Sequence, residues 1–257
     1  MTDRSWRDFR SYWGQGWPAE RPPWGVFEVL LVIILVFVLL FSLRWFGSYR
    51  LTALATALFP GYSNGALSLL LLLSLVQTLL MIGLVLGAVR LRGSHPFRLL
   101  GLQNFNWRSV WLYGILGGVA VFIFIVVAMT LINSLWHQPL PPQEVAYLIG
   151  RTNGWRAQLG SLLMSCVLAP LSEELFFRGF VYPVLRSRLG VWPAMLIVSC
   201  FFGALHYDLA RFLPIALGGA FFAFSCEKTR SLYPAIAAHS TWNTLTTLVI
   251  LLTGSPS

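Results

Sequence analysis

The feature that most constrains this chain is an almost unbroken apolar run from Trp24 to Phe46. It exceeds the roughly 20 residues that cross the hydrocarbon of a bilayer as a helix. Further runs follow at about Ala66–Val89, Val110–Leu131, Trp155 to the neighbourhood of Leu171, Val191–His206, Phe212–Cys226 and Leu232–Leu252. The stretch Leu51–Pro60 is too short to cross and reads as a re-entrant or interfacial segment. In a bilayer every backbone polar group must be satisfied within the protein, so runs like these fold as helices. The expectation is an all-α polytopic bundle of seven membrane spans, plus or minus one.

Composition agrees. In 257 residues, 57% are hydrophobic and only 11% charged, against about 25% charged in ordinary soluble domains. This excludes a disordered chain and leaves no room for a sizeable soluble domain. The division expected is a cytoplasmic interfacial segment over 1–23, N-terminal spans over 24–154 and a polar-residue-bearing region over 155–252.

The net charge is +9, and every cation except Lys228 is an arginine. The arginines stand in the gaps between apolar runs, which points to phosphate headgroups rather than nucleic acid. With a cytoplasmic N-terminus, Arg4, Arg7, Arg10, Arg21, Arg90, Arg92, Arg98, Arg108, Arg178, Arg186, Arg188, Lys228 and Arg230 fall inside. Arg44, Arg50, Arg151, Arg156 and Arg211 fall outside. That split of 13 to 5 sets the orientation by the positive-inside rule. The first residues interleave Trp6, Phe9, Trp13 and Trp17 with Arg4, Arg7 and Arg10, as an anchor lying on the cytoplasmic surface does. The first apolar run is too long for the core of a signal peptide, and no cleavable one is evident.

Cys166, Cys200 and Cys226 lie in apolar runs without a CxxC or CxxH pair and read as small packing residues. The pairs Gly83/Gly87 and Gly114/Gly118 have GxxxG spacing, read as close helix packing within one chain rather than dimerisation.

Polar residues are unevenly distributed. The first three long spans are almost free of ionisable side chains, whereas the later ones contain or border Glu173, Glu174, Arg178, His206, Asp208, Glu227 and His239. An intramembrane charge costs several kcal/mol, about 2.5–3.5 on insertion scales, and marks a functional site by default. On a helix Glu174 and Arg178 share a face, while Glu173 is rotated about 100° away. Glu174 can therefore pair with Arg178, leaving Glu173 free to face a cavity where desolvation would suit it to general-base work. His206 follows Phe202 by four residues, and His239 and Asn243 share one face of the last span. A carboxylate, two imidazoles and an amide can activate a water and receive a developing oxyanion. Glu173, His206 and His239 could equally hold a zinc ion with an open position. An HExxH helix, a second membrane aspartate beside Asp208, a G-x-S-x-G elbow and a credible Ser–Lys dyad are missing from the sequence.

The order Glu173-Glu174-x-x-x-Arg178, Phe202-x-x-x-His206, His239-x-x-x-Asn243, with 33 residues from Glu173 to His206 and 33 from His206 to His239, resembles the signature of the CAAX prenyl protease and bacteriocin-processing (CPBP, or Abi) intramembrane proteases. The likeness covers roughly residues 155–252. It implies a helical bundle with a cavity open to the cytosol. It implies Glu173 as the base that activates water, His206 as its partner, and His239 and Asn243 as transition-state stabilisers. Glu174, Arg178 and Phe202 are implied as supporting residues. The family is described as metalloproteases, and a metal-free glutamate mechanism has also been argued for it; the residues here suit either. The implied partners are the bilayer and a membrane-associated peptide or protein, and the implied location a bacterial inner membrane. Two other readings use the same polar cluster differently: a non-catalytic immunity or scaffold protein, and a proton-coupled transporter.

One expectation conflicts with the resemblance. With straight spans, Glu173 lies near the cytoplasmic end of its span and His206 at the far end of the next. That separates them in depth by about 10 Å or more, at 1.5 Å per residue.

Overall fold

The computed structural model describes residues 21–60, 62, 65–93, 95–103, 105–135, 146 and 154–253. The aromatic and arginine-rich segment 1–20 and Arg151 lie outside the described residues. Among the described residues the architecture is a polytopic helical bundle. It comprises α1 (Val26–Leu58), α2 (Gly65–Arg92), the short α3 (Pro96–Leu99), α4 (Trp107–Leu135), α5 (155–189), α6 (Val191–Ala204), α7 (Leu209–Thr229) and α8 (Tyr233–Thr253). Six of these are long and apolar enough to cross a membrane, and α6 is a shorter apolar helix. The chain is thus an integral membrane protein. Its exposed surface agrees: Phe27, Ile34, Phe41, Leu79, Ile123, Leu196 and Leu213 point outward, where lipid replaces water.

Two boundaries differ from the sequence reading. Leu51–Leu58 is no separate segment but continues α1, which runs unbroken for 33 residues. Nothing from Trp45 to Leu58 supplies a proline to stop it, and Glu28 caps its start by accepting from the Gly25 amide at 2.7 Å. The span around Leu171 does not end there either. It continues as α5 to Leu189 and stops at Gly190, whose φ of 84° turns the chain into α6.

That extension removes the depth conflict. From Glu173, α5 runs about 24 Å further, and α6 with the following turn brings the chain back by nearly the same length. Thus His206 returns toward the level of Glu173.

Helix α5 holds two π-helical stretches, Met164–Leu168 and Leu175–Val181. Each ends just before a proline. The Ala169 amide bonds back to the Met164 carbonyl, and Pro170 follows; the Tyr182 amide bonds back to the Phe177 carbonyl, and Pro183 follows. In a regular helix a proline ring collides with the carbonyl four residues earlier. Widening the turn by one residue removes the collision without breaking the helix. Each insertion also rotates everything after it, so the stretch before Pro170 helps set where Glu173 and Glu174 face.

Packing without a hydrophobic driving force relies on close backbone approach. A Cβ on Gly114 would lie 2.7 Å from the Ala237 Cβ, and one on Gly118 would lie 2.5 Å from the Ala238 carbonyl oxygen. This glycine pair seats α4 on α8, as expected. The pair Gly83/Gly87 does not behave that way: a Cβ on either meets nothing within 4 Å. Away from the polar centre, Glu227 of α7 receives a two-pronged ion pair from Arg186 (2.8 and 2.9 Å) and the Tyr182 hydroxyl at 2.9 Å, which ties the end of α5 to α7. The start of α8 is pinned by the Leu232 amide on the Gly101 carbonyl and the Tyr233 hydroxyl on the Leu102 carbonyl, both 2.9 Å. These bonds fix the register that carries His239 inward.

Candidate active site

The centre of the bundle is a charged pair with no exposed side-chain surface. Glu174 and Arg178, one turn apart on α5, have fully buried side chains joined at 2.9 Å. A second guanidinium nitrogen donates to the Gly219 carbonyl of α7 at 2.7 Å. The guanidinium lies 4.7 Å from the Phe202 ring centroid and 5.4 Å from that of Phe222. The cation is therefore held by a carboxylate, a carbonyl and aromatic faces, the forms of compensation a desolvated charge requires. Gly219 is needed there: a Cβ would stand 2.9 Å from both the Arg178 guanidinium and the Phe202 ring.

The same Glu174 oxygen that binds Arg178 also binds His239, at 2.9 Å from Nδ1. A carboxylate paired with arginine accepts, so Nδ1 carries the proton. The other ring nitrogen, Nε2, stands 3.8 Å from Glu173 Oε2. The imidazole thus lies between two carboxylates of different character. One is sealed and fixed, while the Glu173 side chain retains 33% exposure. The ring is set by Phe222 and Trp242, at centroid distances of 5.0 and 5.7 Å and interplanar angles of 18° and 24°.

Phe202 is fully buried and stands between the two imidazoles, with centroids 4.9 Å from His206 and 5.6 Å from His239. His206 Nδ1 lies 2.9 Å from the Phe202 carbonyl oxygen. A carbonyl only accepts, so Nδ1 of His206 donates, and in the neutral ring Nε2 presents a lone pair. The turn that carries His206 includes Tyr207, with φ of 52° and 80% exposure. Asp208 then caps α7 by accepting from the Arg211 amide at 3.1 Å, and its carboxylate pairs with the Arg211 side chain.

Asn243, one turn beyond His239, donates from Nδ2 to the Ser165 carbonyl of α5 at 2.8 Å. All four residues read from the sequence as catalytic therefore border the junction of α5, the end of α6, and α8, and the three supporting residues form its floor. Sequence reasoning missed Gly219, Phe222, Trp242 and the Ser165 carbonyl. A glycine among 22 and aromatics among 38 Phe, Trp and Tyr carry no positional signal, and a backbone carbonyl carries none at all.

Two ligands of one tetrahedral zinc stand about 3.3 Å apart, less than the 3.8 Å between Glu173 and His239. Among the described residues no three His, Cys, Asp or Glu side chains are gathered so as to hold a metal ion. Glu173, His206 and His239 do not fit a zinc set in this arrangement.

Comparison with known proteins adds an independent line. Residues 155–245 match the family model of Rce1-like type II CAAX prenyl endopeptidases. The resemblance drawn from the three motifs is borne out, and the matched segment holds all three. Over 90 residues the chain is 31% identical to the Bacillus subtilis (strain 168) protein named "Putative membrane peptidase YdiL", covering 35% of this chain and 37% of that one. Over 81 residues it is 35% identical to human CAAX prenyl protease 2, covering 28% of this chain and 25% of that one. The rat protein of the same name is 34% identical over 73 residues, covering 26% and 24%. Each relative is matched over about a third of this chain or less, and the chain spans about a quarter to just over a third of the length of these relatives. No solved structure matches.

Proposed function

We propose that this protein is an intramembrane endopeptidase that hydrolyses a peptide bond in a membrane-associated substrate, with Glu173 as the base that activates water. The carrying observation is the unequal state of two adjacent glutamates. Glu174 is sealed and bound to Arg178 and His239, whereas Glu173 is one-third exposed beside His239 Nε2. Only Glu173 can meet a water and a substrate.

In this reading Glu173 takes a proton from water, and the oxygen forms a bond to the scissile carbonyl carbon. The other O–H of that water donates to the free Nε2 of His206. Charge develops on the carbonyl oxygen, where preorganised donors act most strongly. Asn243 supplies an amide N–H. His239 holds its Nδ1 proton against Glu174, so it donates from Nε2 only as the imidazolium. When the intermediate collapses, the C–N bond breaks and Glu173 returns its proton to the leaving nitrogen. The substrate class proposed is a prenylated CAAX-like or bacteriocin-like peptide. The names of the mammalian relatives support the first. The distribution of arginines supports a cytoplasmic N-terminus, and we place the protein in a bacterial plasma (inner) membrane.

The test is cleavage in nanodiscs of a panel of membrane peptides that includes farnesylated CAAX peptides. Wild type should cut, while Glu173→Gln and His206→Ala should lose at least about 10²-fold in kcat. Equal cutting by wild type and both variants would overturn the assignment and favour a non-catalytic binding role for the cluster.

A further inference from the structure

Asn243 is held by an unusual acceptor. In a regular helix the Ser165 carbonyl would receive the amide of Ala169, and in a π-helical turn that of residue 170. Here the Ala169 amide is committed to Met164, and residue 170 is proline, which has no N–H. Ser165 thus loses both of its intrahelical donors. Within the apolar span a carbonyl left without a donor costs about 1–3 kcal/mol, so this half-buried one takes a partner from elsewhere. The Asn243 side chain supplies it at 2.8 Å from across the α5–α8 contact. The surrounding side chains are already engaged. Ser165 Oγ donates to the Ser161 carbonyl at 2.8 Å, and Thr247 Oγ1 lies between Ser165 Oγ (3.4 Å) and Cys166 Sγ (3.7 Å).

We infer that Pro170 is a positioning residue for Asn243: by leaving the Ser165 carbonyl without a helical donor, it creates the acceptor that fixes the Asn243 amide beside Glu173 and His239. One N–H of the amide is consumed by Ser165. The other N–H is left with its direction set, instead of turning about the side-chain bonds. Three residues before the proposed base, a single imino acid thus serves two ends. It forces the π-helical turn that orients Glu173, and it holds the proposed oxyanion donor.

The structural half stands without any proteolytic activity; the catalytic half rests on the proposed role of Asn243. The test is a double-mutant cycle on the full chain in detergent, using Pro170→Ala, Asn243→Ala and the double variant. Position 170 with an N–H gives Ser165 a helical donor whether the turn stays wide or closes. Thermal unfolding should therefore show Asn243→Ala lowering Tm by about 2–4 °C in the wild-type background and by nothing in the Pro170→Ala background. Equal drops in both backgrounds would overturn the inference. Should Pro170→Ala fail to fold, Asn243→Asp provides the second arm, since it sets an acceptor against the Ser165 carbonyl. It should lower Tm more than Asn243→Ala, and an equal or smaller drop would overturn the inference. Where a cleaved peptide is in hand, Pro170→Ala should lower kcat about tenfold to a hundredfold with KM unchanged. The double variant should be no slower than Asn243→Ala alone, and multiplying defects would overturn the catalytic half. If wild type cleaves nothing, the unfolding cycle still decides the structural half.

Discussion

Glu174 Oε1 receives two hydrogen bonds at 2.9 Å, one from Arg178 and one from His239 Nδ1. One oxygen thus couples a sealed ion pair to an imidazole that faces the exposed Glu173. The pairing of Glu174 with Arg178 follows from their one-turn spacing. The reach to His239, 65 residues later, does not, and it turns a structural ion pair into part of the candidate site.

Removing that charge has two separable effects. Glu174→Gln keeps the volume but leaves Arg178 buried without its anion, and breaking a buried pair costs about 3–5 kcal/mol. It also frees His239 to take either tautomer. The expected outcome is a large drop in denaturation midpoint together with lost cleavage. Glu174→Leu combined with Arg178→Met should recover much of the stability, because no charge is then left unpaired, yet cleavage should stay lost. Recovery of cleavage in the double variant would show that the pair acts only as scaffolding.

Two kinds of glycine should respond oppositely to a methyl group. At Gly219 a Cβ meets the Arg178 guanidinium and the Phe202 ring at 2.9 Å, and neither can retreat from a buried site. Gly219→Ala should destabilise by about 1–3 kcal/mol and lower kcat by displacing Arg178. At Gly87 nothing lies within 4 Å, so Gly87→Ala should be neutral or stabilise slightly through helix propensity. Denaturation midpoints of the two variants check this. A destabilising Gly87→Ala would mean that a second molecule covers this face.

Much of this was legible in the sequence, and the residues say why. Long apolar runs fix the helices, because bilayer physics offers few alternatives. The contrast between a sealed Glu174 and a partly exposed Glu173 follows from helical rotation, and the structure shows it. The length of α5 was not legible, since the apolar run is interrupted by Ser172, Glu173 and Glu174 just after Leu171; the helix nevertheless runs on, with π-helical turns that accommodate Pro170 and Pro183. The apparent 10 Å depth conflict was a consequence of ending that helix early. Equally hidden was the partnership of Glu173 with His239 at 3.8 Å, because sequence spacing says nothing about which of two histidines a carboxylate will face.

Metal dependence gives the sharpest separation between the two chemistries that the motif permits. Glu173, His206 and His239 do not form a metal-holding group among the described residues, and Glu173 Oε2 stands 3.8 Å from His239 Nε2. Purified protein should therefore contain well under one equivalent of zinc by elemental analysis. Cleavage should survive prolonged treatment with 1,10-phenanthroline, and added zinc should not restore Glu173→Gln. The opposite result would be a stoichiometric zinc lost together with activity on chelation and regained on adding the ion. It would require Glu173 and His239 to close by several tenths of an ångström around the ion. The water would then be activated by the cation, and Glu173 would be a ligand rather than the base.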